Sequence, residues 1–168
     1  ETLVETASQL IEHNDLNTIH DLCTGSGAVG IALKTRHPNC DVTLSDLSID
    51  AVQCAKENAQ ALGLSMYCCQ ADLFDGLGRY DLVTANPPYI AWDDPEIDSS
   101  ARWYEPTVAL FSNAQGLELI RRIVRDGMNH LTRNGYLCLE HGHRQAHDVR
   151  AIAEESGWCS IQTHQDLA

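Results

Sequence analysis

The sequence predicts a doubly wound α/β fold, a mostly parallel sheet with helices on both faces, and three observations carry that expectation. Short β-prone runs alternate with segments of helical periodicity along all 168 residues, as parallel strands joined by crossover helices require. The first strand runs into a glycine loop, Gly25-Ser26-Gly27-Ala28-Val29-Gly30, that opens a helix. A later strand, Tyr80–Ala85, runs straight into Asn86-Pro87-Pro88-Tyr89. Prolines lack an N–H and have φ fixed, so no strand continues through two of them. The chain must leave the sheet at Asn86, on the carboxyl edge where open α/β sheets bind ligands.

Taken in order, Glu1 to His13 reads as a helix, with Leu3, Ala7, Leu10 and Ile11 at helical spacing. It starts without a cap, as though chain precedes it. Asn14 to Asn17 reads as a turn and Thr18 to Cys23 as the first strand. The helix behind the glycine loop runs to about His37, where Pro38 and Asn39 stop it. Asp41 to Asp46 is the second strand. Ser48 is placed to cap a helix from Ile49 to about Leu62, and Gly63 to end it. Ser65 to Ala71 is the third strand, with Asp72, Leu73 and Phe74 at its tip, and Tyr80 to Ala85 the fourth. Trp92 to Ser112 has no clear period, holds Pro95 and Pro106, and is long enough to read as a functional lid. Gln115 to Leu131 reads as a helix with Leu117, Ile120, Val124 and Met128 inward. Gly135 to Leu139 then forms a fifth strand, Arg144 to Ser156 a helix, and Trp158 to Thr163 a sixth strand.

Composition narrows the function. Hydrophobic content is 43%, ordinary for a globular domain of a size that buries a real core. No apolar run reaches membrane-spanning length and the first residues do not read as a signal peptide, so the expectation is a cytoplasmic protein with no membrane partner. The net charge of −13 argues against direct nucleic-acid binding, which needs a basic surface. The one dense basic cluster, Arg121, Arg122 and Arg125, reads as the solvated face of a helix. Seven scattered cysteines with no C-x-x-C pair read as reduced thiols packed as small hydrophobes. His141, His143 and His147 lie close in sequence but lack the partners of a metal site, and no metal is expected.

The glycine loop with an acid on the next strand end fits two nucleotide classes, and a plain tight turn with positive φ is the simpler alternative. A dinucleotide enzyme would place a pyrophosphate at the helix N-terminus. An S-adenosyl-L-methionine (SAM) enzyme would place the amino-acid part of the cofactor there, with an acid just before the loop, and Asp21 occupies that position. Asp46 would then accept from ribose hydroxyls and Asp72 from the adenine amino group. Any of these carboxylates could instead cap a helix, Asp72 above all. After the fourth strand, the Asn86 side-chain oxygen and the Pro87 carbonyl are two acceptors beside the flat face of Tyr89, a set suited to holding both hydrogens of a planar NH2 group.

D-x-x-T-G-S-G from Asp21, the Asp46 strand end and N-P-P-Y from Asn86 together resemble a class I SAM-dependent methyltransferase. With Leu3-Val4-Glu5, Y-E-P-x-x-A-L at Tyr104–Leu110 and L-E-H-G at Leu139–Gly142, the chain resembles the HemK/PrmC family of protein-(glutamine-N5) methyltransferases nearly end to end. The resemblance implies that Cys23, Thr24, Gly25, Ser26 and Gly27, with Asp46, Asp72, Leu73 and Asn86, line the cofactor, which leaves as S-adenosyl-L-homocysteine. It implies that Asn86, Pro87, Pro88 and Tyr89 hold a substrate glutamine, and that the partner is a peptide chain release factor, modified in its Gly-Gly-Gln loop. Cys23 stands where a glycine is usual, a small-for-small change expected to preserve binding. The family's N-terminal helical domain is not matched, and the last antiparallel strand of the usual seven is expected to be missing. Residues 1–168 are therefore expected to be the catalytic domain of a shortened chain.

A carboxamide nitrogen is a poor nucleophile because its lone pair is delocalised. Accepting both of its hydrogens would aim that lone pair at the methyl group and favour pyramidalisation, with no strong base needed before transfer. Glu105 and Glu140 are weaker candidates, the latter equally readable as a structural residue at a helix start. Rival readings are a ribosomal-protein glutamine methyltransferase, an adenine-N6 or guanine-N2 methyltransferase of nucleic acid, and a SAM-binding module without turnover.

Overall fold

The computed structural model describes residues 1–88, 90–91, 111–112 and 117–166, with backbone alone for 90–91 and 111–112. The chain divides into two compact units, one of Glu1–Asn86, Gly127–Glu140 and His164–Ala168, the other of Pro87–Asp126 and His141–Thr163. The long stretch after Trp92, including Tyr104–Leu110 and Glu105, lies outside the described residues up to Leu110, as does Tyr89.

The first unit is built on a five-stranded sheet. Its elements in chain order are α1 (Thr2–Asn14), β1 (Thr18–Leu22), α2 (Ala28–Arg36), β2 (Asp41–Asp46), α3 (Ile49–Ala61), β3 (Tyr67–Gln70), β4 (Tyr80–Ala85) and, after the second unit intervenes, β7 (Leu131–Leu139). The strand order is β3-β2-β1-β4-β7 and every pair is parallel. The chain steps outward from β1 through β2 to β3, then returns to the other side of β1 with β4. The order therefore reverses between β1 and β4, and the crevice of a doubly wound sheet opens there. Register brings Leu22 beside Ser45 and Ala85, and Ala85 beside Leu139, so all carboxyl ends meet at one edge.

Alternation along the strands sorts two faces. Ile19, Val42, Leu44, Leu82 and Cys138 join Val4, Ala7 and Ile11 of α1, Ile31 and Leu33 of α2, and Ala55 and Ala59 of α3 in one apolar core. Val4, Ala7 and Ile11 are spaced as one stripe of a helix, which is why α1 forms where it does. Asp15, left-handed at φ 52, ends it and bonds back to Ile11. Ser48 caps α3 by accepting from the Ala51 N–H at 3.3 Å, as expected.

The edge opposite the crevice is tied by Asp81. Its Oδ2 accepts from Asn17 N, Thr18 N and Thr18 Oγ1, and its Oδ1 accepts from Thr132 Oγ1 at 2.7 Å, joining the starts of β1, β4 and β7. Burial pushes its pKa up, but these donors together outweigh burial and hold it below the ordinary value.

On the other sheet face His20 is fully buried, its ring 4.9 Å from that of Tyr80 and 5.9 Å from that of Phe74. Burial, with His130 adding to it, lowers its pKa from 6.5 to about 4. A depressed imidazole pKa means that the unfolded chain binds the proton first. The stability that neutral His20 contributes is complete above pH 6.5 and is lost as pH falls towards 4. Between those limits wild type should lose about 3 kcal/mol more than His20→Phe. Denaturant unfolding of both proteins at each pH measures the difference; parallel losses would refute it.

The second unit holds two short strands, β5 (Ile90–Ala91) and β6 (Phe111–Ser112), paired in parallel, and the helices α4 (Glu118–Gly127) and α5 (Ala146–Glu155). Several expectations change. The helix expected over Gln115–Leu131 is described from Glu118 to Gly127 and gives way to a 3₁₀ turn at Met128–His130, so Met128 is 39% exposed instead of inward. The helix expected from Arg144 begins as a 3₁₀ turn at His143–Gln145 and is α-helical from Ala146 to Glu155. The fifth strand starts four residues before Gly135. Asn134, left-handed at φ 64, takes up a bulge against β4 and the strand goes on. The third strand is shorter than Ser65–Ala71, since only Tyr67 to Gln70 finds partners on β2. The strand expected at Trp158–Thr163 does not form. Gly157 and Ser160 adopt left-handed φ values of 90 and 57, the Trp158 indole N–H donates to Val124 O, and the Ile161 carbonyl accepts from Arg150. The seven cysteines form no disulfide. Among the described residues no helix is long and apolar enough to cross a membrane.

Candidate functional site

The carboxyl edge of the first unit gathers the glycine loop behind β1, Asp46 at the end of β2, the Asp72 turn behind β3, and Asn86 at the end of β4. The loop is held from below and from both sides. Thr24 N donates to Ser45 O at 3.0 Å, Gly25 N to Asp46 Oδ2 at 2.9 Å, and Gly27 N to Thr24 O at 2.9 Å. From α3, Asn58 Nδ2 donates to Ser26 O at 2.9 Å. Gly27 is left-handed at φ 85, which strains any residue with a side chain, and a Cβ there would also crowd Ile31 at 2.8 Å and Ala55 at 3.1 Å between α2 and α3. A Cβ on Gly25 would meet nothing within 4 Å. The loop is thus packed on its helix side and open at Gly25, beside the start of α2, whose first N–H groups suit an anionic or carboxylate group.

Asp21 lies beneath the loop, 2% exposed. Its Oδ2 accepts from Thr24 Oγ1 and, at 3.1 Å, from Gly30 N, while its Oδ1 accepts from Thr84 Oγ1 at 2.8 Å. Burial raises its pKa. Thr24, Thr84 and Gly30 pull the other way, Asp46 adds a further push upward, and the balance is upward. Both oxygens are engaged by protein donors, so this carboxylate organises the loop.

Asp46 reaches outward. Besides Gly25 it accepts from Ser48 N on Oδ1 at 2.9 Å, and its own carbonyl accepts from Ala71 N, which ties β2 to the turn that follows β3. Each carboxylate oxygen retains acceptor capacity for a hydroxyl. Leu47, next in sequence, is 57% exposed. Asp72 is exposed, and Leu73 is buried with φ 54. A turn follows Asp72 and no helix does, which removes the capping alternative for it. Asn86 is exposed just beyond Ala85, whose carbonyl accepts from Glu140 N at 2.9 Å, so the ends of β4 and β7 are locked together. Pro87 is buried and Pro88 half-buried. No helix begins at Glu140.

Cys23 is left-handed at φ 55, a conformation that costs a residue with a Cβ about 1–2 kcal/mol. Cys23→Gly should raise stability by about 1 kcal/mol, seen as a thermal midpoint about 2–4 °C higher. No change would mean that the thiol's packing offsets the backbone cost.

The residues that sequence reasoning missed support the site from outside the motifs. Thr84 and Asn58 bear polar groups in the middle of a strand and a helix, with no motif to mark them. Leu47 did leave a signal, a large apolar side chain at a position where the chain leaves the sheet for solvent.

A family model described as the methyltransferase small domain matches residues 3–101. Release factor glutamine methyltransferase from Xylella fastidiosa is 37% identical over 99% of this chain and 62% of its own length. The enzyme of the same name from Lactococcus lactis is 38% identical over 99% of this chain and 63% of its own. The chain thus spans less than two thirds of the length of these relatives. Among solved structures, ribosomal protein L11 methylase from Lactobacillus delbrueckii subsp. bulgaricus superposes with a TM-score of 0.70 over 98% of this chain and 72% of that one, at 19% identity, a likeness of fold. With the parallel sheet, its reversal at β1 and the glycine loop in place, this chain belongs to the methyltransferase small domain family.

Proposed function

We propose that residues 1–168 are the catalytic part of a SAM-dependent methyltransferase that modifies the side-chain nitrogen of glutamine, with a peptide chain release factor as its cytoplasmic protein substrate. The observation that carries the proposal is the exposed Asn86 at the switch-point edge, followed by two prolines, in a chain 37–38% identical to proteins named for that reaction.

The loop fits the cofactor. Gly25 to Gly27 and the first turn of α2 would hold its carboxylate end and Asp46 its ribose hydroxyls. The exposed Leu47 would offer apolar surface to its base, and Asp72, on the turn it shares with the buried Leu73, would accept from the base amino group. SAM, when bound, supplies an electrophilic methyl group on a sulfonium. The chain supplies position. Asn86 Oδ1 and the Pro87 carbonyl each accept one N–H of the substrate carboxamide, which turns the nitrogen lone pair towards the incoming methyl and stabilises positive charge as it develops on nitrogen. Pro88 fixes the direction of the preceding carbonyl, and the product nitrogen then gives up its extra proton to water.

The test is direct. The chain is titrated with S-adenosylhomocysteine in a calorimeter, then incubated with SAM and purified release factor, and methylation at the Gly-Gly-Gln glutamine is read by mass spectrometry. Cofactor binding together with methylation at that glutamine supports the proposal. Binding with methylation only on a ribosomal protein or a nucleic acid would overturn the substrate assignment.

A further inference from the structure

A buried polar pair beneath the site is used by nothing in the chemistry above. His20, on β1, is fully buried, and its Nε2 lies 2.7 Å from Ser45 Oγ, itself fully buried on β2. His20 Nδ1 has no hydrogen-bond partner among the described residues. With the proton on Nε2 the ring donates to Ser45 and leaves only a lone pair unpaired, the less costly tautomer for a buried ring. Polar groups at such depth are unfavourable unless paired, so a histidine among Leu22, Val83 and Phe74 calls for a reason.

Its two sides supply one. Ser45 precedes Asp46, and the Ser45 carbonyl accepts from Thr24 N, so the Ser45 backbone sets the height of the glycine loop. On its other side the imidazole meets Phe74 edge-on at 5.9 Å. Phe74 directly follows Asp72 and Leu73, is 3% exposed, and is backed by the His130 ring stacked at 4.7 Å and 11°. One side chain on the central strand therefore touches both walls of the cleft, by a hydrogen bond on the Asp46 side and by ring contact on the Asp72 side.

We propose that His20 is a positioning residue for the cofactor, holding the Ser45–Asp46 wall and the Asp72–Phe74 wall at the separation that the cofactor needs. This rests on the SAM reading of the site. His20 touches neither cofactor nor substrate and acts through Ser45 and Phe74. Phenylalanine would retain the ring contact and lose the hydrogen bond, and Ser45→Ala would remove the same bond from the other side while keeping the carbonyl that Thr24 needs.

S-adenosylhomocysteine affinity, thermal midpoint and kcat at saturating SAM are measured for wild type, His20→Phe, Ser45→Ala and the double variant. Each single variant should bind about tenfold more weakly, and the double variant no more weakly than either, because one bond is lost in all three. kcat at saturation should stay within about twofold, since the reacting atoms are untouched. Affinity unchanged in both single variants overturns the proposal, whatever happens to the midpoint, as do additive losses in the double variant or a fall in kcat that matches the loss of affinity. If His20→Phe does not fold, Ser45→Ala decides alone. Absence of binding by wild type overturns the cofactor reading itself and this inference with it, a result distinct from wild-type binding with unaffected variants.

Discussion

Asn86→Ala should slow methyl transfer by about two to three orders of magnitude, while S-adenosylhomocysteine affinity stays within about threefold of wild type. The size follows from what the side chain is asked to do. A glutamine amide that loses one of two acceptors can rotate about its terminal bond, so both the aim of its lone pair and the stabilisation of charge on nitrogen are lost together. Removing one preorganised hydrogen-bonding group at such a centre typically costs about 10²–10³ in kcat. The fold should not register the change. Asn86 is exposed, and the strand end before it is held through the backbone, by Glu140 N on Ala85 O at 2.9 Å. Unfolding midpoint, affinity and single-turnover rate on the same preparation separate the possibilities. If affinity fell as far as the rate, Asn86 would be a cofactor ligand first, and the assignment of the Asn-Pro-Pro-Tyr segment to the substrate amide would fail.

The parts of this fold that were legible in the sequence are those whose local signals and tertiary partners agree. β2 and β4 have the expected limits, Asp41–Asp46 and Tyr80–Ala85, because a glycine, proline or acid marks an end and the apolar run between has strands on both sides. The misreadings fall where pairing overrides local preference. The fifth strand reads from Gly135, yet β7 already begins at Leu131 and runs through Asn134. Gly135 makes this possible, since a Cβ there would lie 3.0 Å from Leu131 Cβ and 3.1 Å from Asp81 O. Trp158 to Thr163 reads as a strand by composition, but β-propensity describes how a residue fits a half-buried surface and supplies no partner. At the site, the motifs located Asp46, Asp72 and the loop. They could not show that Asp21 faces inward, because that depends on Thr84 arriving from another strand.

That inward orientation sets up the larger stability effect, at Asp21. Asp21→Ala should destabilise the fold by about 3–5 kcal/mol, a large share of the roughly 5–15 kcal/mol that keeps a domain folded. Three donors, Thr24 Oγ1, Gly30 N and Thr84 Oγ1, would lose their acceptor in a site that is 2% exposed. The peptide N–H of Gly30 points into the buried site and finds no other acceptor there among the described residues, and only glycine fits at position 30, since the Leu44 side chain lies 2.2 Å from where a Cβ would be. Asp21→Asn should cost far less. Its carbonyl oxygen can keep Gly30 and Thr24, and the Thr84 hydroxyl can reverse to accept from the new NH2 group, since a hydroxyl both donates and accepts. Burial, the largest influence on the Asp21 pKa, raises it, so the environment disfavours the charge and a neutral isostere suits it. Denaturant unfolding of wild type, Asp21→Ala and Asp21→Asn at neutral pH checks the order. If Asn proved as damaging as Ala, the negative charge itself would be what the loop requires, and the carboxylate would act on the cofactor site through its field as well as through its three hydrogen bonds.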